Sequence, residues 1–312
     1  MKKKYDILVA GEINPDIILS GDVEPVFGQV EKLVDGASLT VGSSSAIFAC
    51  GAARLGLKVG FIGRCADDMF GRFVLDEMQK AGVDTAPAII VEGGSTGLSV
   101  ILARGNDRSI LTYPGLIPTL QADEIPDDLL RRSRHLHVAS YFLQTALQPG
   151  MQNLFERART LGLTTSLDTN YDPLETWQGV NELLAVTNVF LPNEVEILSL
   201  TRQKSVEAAV NHLARQVETL AVKQGASGAT AARNGEHVKV NSLPVKVQDT
   251  VGAGDSFDAG FLYGYLNQWT LEESLRLAVI CGGLSTQAIG GTAGQPTLAE
   301  ARIWMEKLGK QG

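Results

Sequence analysis

Asp249-Thr250-Val251-Gly252-Ala253-Gly254-Asp255-Ser256-Phe257 is the most informative stretch of this 312-residue chain. Gly252, Ala253 and Gly254 are small enough to let backbone amides approach a ligand closely, and residues 256–267 are apolar at helical spacing. A glycine-rich turn that opens a helix presents free N–H groups and the positive end of the helix dipole, which together favour anionic phosphate oxygens. An aspartate beside such an anion site is costly unless it has a task. Next to a phosphate, Asp255 can accept a proton from an attacking hydroxyl. Taken alone, Gly-x-Gly-Asp also fits a turn whose Asp caps a helix.

The rest of the chain supplies the setting for that turn. Short apolar runs at 5–10, 58–62, 135–139, 164–167, 189–191 and 220–223 are expected strands, and 44–55 and 69–81 are expected helices stopped by Gly56 and Gly82. Strands alternating with helices point to a parallel sheet covered on both faces. Two regions, 17–41 and 88–112, break this rhythm with strand-like segments separated by Gly and polar residues. Residues 96–103 and 108–112 flank Arg104-Gly105-Asn106-Asp107, a good hairpin turn. The expectation is one domain over 1–312, with a small β-sheet lid built from about 14–41 and 88–113. Three helices are expected near the C-terminus, the second opened by the capping box Thr270-Leu271-Glu272-Glu273.

Composition excludes several function classes. Hydrophobic residues make up 44% and charged residues 20%, which suits a globular chain with a sizeable core. The formal charge of −8 repels nucleic acid and anionic membranes, so neither is expected as a partner. Cys50, Cys65 and Cys281 show neither CxxC spacing nor nearby His clusters and are expected to be reduced and buried, in a cytoplasmic protein. The Lys2–Lys4 start is not followed by a long enough apolar run for a signal peptide, because Glu12, Asn14 and Asp16 interrupt it. His135 and His137 are expected on opposite sides of one strand, and none of the four histidines is assigned to catalysis or zinc.

The string DTxGAGD resembles the C-terminal signature of the ribokinase (PfkB carbohydrate kinase) family, and further elements follow in the family's order. Gly42-Ser43-Ser44-Ser45-Ala46 running into Ala52-Ala53-Arg54-Leu55-Gly56 is similar to its first signature. Phe61-Ile62-Gly63-Arg64 with Asp67-Asp68 and Phe70-Gly71, and Asp168-Thr169-Asn170, resemble further family elements. So do Asn193-Glu194-Val195-Glu196, Lys223-Gln224-Gly225-Ala226-Ser227-Gly228, and Gly290-Gly291-Thr292 with Pro296.

The resemblance implies a three-layer α/β/α fold with a mostly parallel central sheet and a small β-sheet lid. It also implies transfer of the γ-phosphate of ATP to a hydroxyl. Asp255 is then the base, and the amides of Gly252, Ala253 and Gly254 stabilise the transferred group. Glu196 holds Mg²⁺ through water. Asn193, Lys223, Gly225, Ser227, Gly228 and Thr250 meet the nucleotide, as do Gly252 and Gly254. A K⁺ ion, if used, would lie on carbonyls of Asp249, Val251, Ser285, Ala288 and Gly290. Lid-mediated homodimers are common among similar proteins.

Substrate contacts are expected from Asn14 and Asp16 after the first strand, from Gly42, Ser43 and Ser44, and from Asp168 and Asn170. Two positions depart from the family pattern: Ser43 stands where a second Gly is usual, and Ile47 where an Asn often touches substrate. An anionic substrate facing Asp16, Asp168, Asp172 and Asp255 would be repelled unless Arg104 or Arg108 from the lid paired with it. A neutral sugar or polyol is therefore the favoured acceptor, with a nucleoside as the alternative. A non-catalytic ligand-binding protein on the same fold is the reading from another class. Retention of Asp255, the glycines and Glu196 argues against it.

Overall fold

A computed structural model describes residues 3–104 and 107–309, so the expected turn residues Gly105 and Asn106 lie outside the described residues. The chain opens with β1 (Tyr5–Ala10), β2 (Pro15–Ser20), β3 (Gly36–Val41), α1 (Ser44–Arg54), β4 (Val59–Ile62), β5 (Arg64–Ala66) and α2 (Met69–Lys80). Next come β6 (Ile89–Val91), β7 (Leu98–Arg104), β8 (Asp107–Tyr113), α3 (Asp127–Arg131), β9 (Ser133–Val138), α4 (Gln148–Thr160) and β10 (Thr164–Leu167). Then follow α5 (Val180–Leu184), β11 (Val189–Phe190), α6 (Glu194–Thr201), α7 (Val206–Leu213), β12 (Thr219–Lys223), β13 (Ala229–Arg233) and β14 (Glu236–Val240). The last helices are α8 (Ala253–Leu266), α9 (Leu271–Ser285) and α10 (Leu298–Gly309).

An eight-stranded sheet runs β14-β13-β12-β11-β10-β9-β1-β4. From β4 to β12 every pairing is parallel. Strand β1 shows why both faces are covered. Ile7 and Val9 join the core under α1, α8 and α9, whereas Leu8 and Ala10 join the core under α4 and α5. Alternate side chains of one strand thus feed two apolar layers, which is the three-layer α/β/α arrangement. The antiparallel hairpin β13–β14, which closes one edge, was not among the expected elements. Its turn carries Asn234 and Gly235 at φ 52 and 84, a pair suited to a two-residue hairpin loop.

A second sheet, β3-β2-β7-β8, is formed by the two irregular regions. Its edge strand β8 is exposed along its whole length. The helix opened by Thr270 is capped as expected. Its hydroxyl accepts from Glu273 N at 3.1 Å and the Glu273 carboxylate accepts from Thr270 N at 3.0 Å. All three cysteines are buried and unpaired, and burial pushes the Cys50 thiol up to about 12 and Cys65 up to about 11. No helix among the described residues is long and apolar enough to cross a membrane.

One orientation is corrected. Residues two apart on a strand share a face, and the His135 and His137 rings both reach Ser166 Oγ, at 2.7 Å each. Both are fully buried, and burial lowers the pKa of each, that of His137 to about 3. They form a neutral polar seam between β9 and β10.

In an open parallel sheet, ligands bind beyond the carboxyl ends of the strands, where crossover direction reverses. Here the reversal falls at β1: the chain pairs β4 on one side of it and later adds β9 on the other. The segments leaving β1, β9, β10 and β11, together with Lys223 at the end of β12, line one cleft of about 450 Å³.

Candidate active site

Gly252 precedes α8 at φ 71, a conformation that favours glycine. A Cβ there would meet Gly291 Cα at 2.6 Å and Ile47 Cγ2 at 2.9 Å, so the turn is pressed against a second glycine segment. Asp249 holds these segments together. One of its oxygens accepts from Val251 N at 3.0 Å and the other from Gly290 N at 2.8 Å. Gln248 N and Asp249 N both donate to Thr286 O, at 2.8 and 3.1 Å. Asp249, Val251 and Gly290 thus lie together, and Ser285 and Ala288 fall in the adjoining 285–290 segment. The first turn of α8 directs amides without intrahelical partners out of the helix start, and Gly252 and Gly254 line the cleft.

Asp255 sits in that first turn, 8% exposed and facing the cleft. Burial raises its carboxyl to about 8; the Asp168 carboxylate adds to the rise, and the Lys223 ammonium opposes it. Oxygens of Asp168, Asp255 and Asp258 lie within 4.8 Å of one another. Lys223, at the end of β12, donates to Asp168 Oδ2 at 2.9 Å and to both Asp258 oxygens at 3.1 Å. Burial alone would lower the lysine's pKa, but Asp168, Asp258 and Glu196 outweigh it and raise it. Asp258 goes the other way: burial holds its carboxyl well above the usual range despite Lys223.

Asn193 and Glu196 form a capping box at α6. Asn193 Oδ1 accepts from Glu196 N at 2.9 Å, and Glu196 Oε2 accepts from Asn193 N at 2.8 Å. Burial and then Asp168 raise the Glu196 carboxyl to about 7. Both side chains line the cleft and keep unused lone pairs for a hydrated cation. Gly225, Ser227 and Gly228 make the turn after β12, where Gly225 and Ser227 are exposed, and none of the three lines the cleft. Gly228 has its own packing reason: a Cβ there would meet Val240 O at 2.0 Å.

The rest of the cleft carries carboxylate, amide and hydroxyl groups. Asp16 lies against Gly42, where a Cβ would meet its Oδ1 at 2.1 Å, and burial raises its carboxyl to about 7 although Arg108 opposes this. Asn14 Nδ2 is 3.4 Å from both Asp16 Oδ1 and Ser99 Oγ. Asn170, at φ 53, donates to Ser44 Oγ at 2.9 Å and accepts from Ser140 N at 2.9 Å. Ile101, Ile110 and Phe142 give this part of the cleft an apolar side. Arg108 reaches from β8 to Thr250 Oγ1 at 3.1 Å, across the cleft mouth.

A sequence profile of the pfkB family carbohydrate kinases matches residues 4–298. The chain belongs to the pfkB family of carbohydrate kinases. It is 32% identical over 249 residues to an uncharacterized sugar kinase of Archaeoglobus fulgidus, covering 79% of this chain and 98% of that protein. It is 30% identical over 288 residues to the 5-dehydro-2-deoxygluconokinase of Geobacillus kaustophilus, covering 86% and 85%. An E. coli protein assigned as a ribokinase II, in complex with ATP and Mg²⁺, superposes with a TM-score of 0.87 at 23% identity over 98% of this chain and 100% of that one. That likeness establishes the ribokinase-like fold.

Of the expected positions, Asn14, Asp16, Ser43, Ser44, Asp168, Asn170, Asn193, Glu196, Lys223, Thr250, Gly252, Gly254 and Asp255 line one cleft, whereas Gly42 and Ala253 do not. Three residues were missed. Glu12, 2% exposed, accepts from Ser45 Oγ at 2.5 Å and Ser140 Oγ at 2.8 Å. Ser140, left-handed at φ 52, binds both Glu12 and Asn170. Asp258 grips Lys223 from α8. The spacing Glu12-x-Asn14-x-Asp16 past a buried strand was a signal for the first; nothing local marked Ser140.

The two departures have physical consequences. Ile47 is 3% exposed and packs beneath Gly252 and Gly291, so an apolar wedge replaces a polar contact. Ser43 keeps a glycine-like φ of 68. Its hydroxyl accepts from Ala46 N at 3.0 Å and donates to Glu12 O at 2.6 Å, which offsets the strain. Ser43→Ala keeps the strained backbone and loses both bonds, so it should cost about 2 kcal/mol. Ser43→Gly loses the bonds but relieves the strain and should cost about 1 kcal/mol less than Ala. Denaturant midpoints give the order; equal stability of the Ala and Gly variants would contradict this account.

Proposed function

We propose that this pfkB kinase transfers the γ-phosphate of ATP to a hydroxyl of a neutral sugar or polyol, with Asp255 as the general base. The observation that carries this is Asp255 itself: a buried carboxyl in the first turn of α8, beside the Gly252–Gly254 amides and Ser44, facing a cleft that Asn14, Asp16 and Asn170 also line. In the step, Asp255 takes the acceptor's hydroxyl proton as the acceptor oxygen bonds to the γ-phosphorus. The bond from that phosphorus to the β–γ bridging oxygen breaks, and ADP leaves with the electron pair. The free amides of the turn stabilise charge on the transferred group. Bound Mg²⁺ would neutralise phosphate charge, with Glu196 and Asn193 holding its waters. Thr250 and the Gly225–Gly228 turn belong to the nucleotide side, and a K⁺ on carbonyls of the 249–251 and 285–290 segments would support the turn from behind.

The residues 1–312 act in this reading as one kinase domain, with about 14–41 and 88–113 as the lid. The Arg108–Thr250 bond supports that role, since it ties β8 to the residue two before Gly252. Exposed Leu39, Leu111 and Tyr113, on the face of β3 and β8 that turns away from the cleft, support a homodimer through the lid. Sedimentation velocity should return twice the chain mass; a monomer at micromolar concentration would end the dimer reading. Three buried, unpaired thiols support a cytoplasmic location, which cell fractionation checks.

A specific observation favours a second reading. Arg108 is a cation on the cleft wall, and the Geobacillus relative is named for a sugar-acid acceptor. A carboxylate-bearing sugar could pair with that guanidinium. Side-by-side turnover of fructose, inositol, 5-dehydro-2-deoxygluconate and adenosine separates these acceptors. ATP and ADP binding with no phosphorylation in a broad panel would overturn the kinase reading.

Asp255→Asn should leave ATP binding intact and cut turnover by roughly 10²–10⁴, the range for loss of a general base. A variant within tenfold of wild type would remove Asp255 from that role. The base works only when ionised. Because burial, Asp168 and Glu12 raise its pKa to about 8 against the pull of Lys223, kcat/KM should climb with pH and level off above about 8. A profile that is flat between pH 6 and 9 would be inconsistent with this.

A further inference from the structure

The lysine ending β12 looks suited to nucleotide phosphate, but its hydrogen bonds are already taken. An ammonium has three N–H donors and no acceptor. Lys223 Nζ has three carboxylate oxygens within reach: Asp168 Oδ2 at 2.9 Å and the two Asp258 oxygens at 3.1 Å. Asp258 is 1% exposed and Asp168 2% exposed. The lysine's end lies against the start of α8, since a Cβ on Gly254 would find Lys223 Nζ and Cδ at 3.6 Å. The clustered oxygens of Asp168, Asp255 and Asp258 have the spacing of a cation site, and this ammonium bonds two of the three carboxylates.

What hangs from this cation lies on the acceptor side. Asp168 Oδ1 accepts from Asn170 N at 3.1 Å. Asn170, left-handed at φ 53, donates to Ser44 Oγ and accepts from Ser140 N, and Ser140 Oγ donates to Glu12 at 2.8 Å. An unbroken chain of bonds therefore runs from Lys223 through Asp168 and Asn170 to Ser44, Ser140 and Glu12, and Ser44 also reaches the Asp255 carboxyl. A buried ion pair is weak evidence for stability, because desolvation consumes most of the attraction, but removing one partner leaves an uncompensated charge.

We propose that Lys223 is a positioning residue for the acceptor rather than a ligand of the nucleotide, and that Asp258 holds it in that place. Its ammonium fixes Asp168, and Asp168 fixes Asn170 and through it Ser44 and Ser140. This rests on the kinase reading above for what the cleft receives, and it concerns a different question: which substrate feels Lys223.

The test compares Lys223→Met, Asp258→Asn and the double variant, using the best acceptor from the panel. Lys223→Met should raise the acceptor KM at least about tenfold, the equivalent of one lost anchor, and lower kcat, while KM for ATP stays within about threefold. Asp258→Asn should move the same constants in the same direction by less. The double variant removes a cation and an anion together, so it should recover the melting temperature lost in Lys223→Met but not the acceptor KM. Should Lys223→Met fail to fold, the double variant carries the same decision. A raised KM for ATP with an unchanged acceptor KM, or wild-type constants in the double variant, overturns the proposal. If the wild type phosphorylates nothing in the panel, the kinase reading has failed, and calorimetry with ADP still decides: Kd within about threefold in the double variant supports Lys223 as no nucleotide ligand, and a tenfold loss overturns it.

Discussion

The cleft floor is governed by an imbalance of buried charge. Glu12, Asp168, Glu196, Asp255 and Asp258 are all nearly or fully removed from solvent, and Lys223 is the one cation hydrogen-bonded among them within the described residues. Five carboxyl groups cannot all ionise around a single ammonium in a low-dielectric site. The molecule resolves this unevenly. Asp168 is held low because Lys223, a hydrogen bond with Asp258 and the Asn170 amide outweigh its burial, whereas Asp255, Glu196 and Asp258 are pushed up towards neutrality. In the proposed reaction, Asp255 would have to lose its proton to act as a base, and Glu196 would need only water-mediated contact with a cation. Under that proposal, the difference in proton affinity between neighbouring acids would give them separate tasks.

The fold produces this crowding through its topology. Glu12 leaves β1, Asp168 leaves β10, Asn193 and Glu196 follow β11, and Lys223 ends β12, so parallel strands deliver each group to the same edge. Antiparallel strands would send alternate termini to opposite edges. The helix α8 then lays Asp255 and Asp258, three positions apart and so on one face, over that edge. The dry alternation along β1, with Ile7 and Val9 on one side and Leu8 and Ala10 on the other, keeps the sheet rigid beneath the charges.

Much of this was legible from the chain. The alternation of buried runs with helical stretches predicts the parallel sheet, and the turn around Gly252 marks the start of α8 because local backbone demands are written in local residues. Contacts between distant segments left no such mark. Asp258 could be placed on the same helical face as Asp255, but its partner lies 35 positions earlier, and the Asp168–Lys223 pair spans 55. Glu12 stood out only as a residue that interrupts the first apolar run, since nothing near it shows that Ser45 and Ser140 converge there. The β13–β14 hairpin was a different case: Asn234-Gly235 is a strong turn signal that went unused. The orientation of His135 and His137 was misread, although strand period alone puts residues two apart on one face.

The buried thiols have a practical consequence for watching this enzyme move. Cys50, Cys65 and Cys281 are each packed away, with burial raising every one of their pKa values, so the thiolate that alkylating reagents require is scarce and shielded. A cysteine placed on the fully exposed β8 would then outcompete all the native ones for a maleimide dye. The native chain thus offers a near-silent background for single-site fluorescence, and whether the small sheet moves could be followed without first stripping the core of its sulfur.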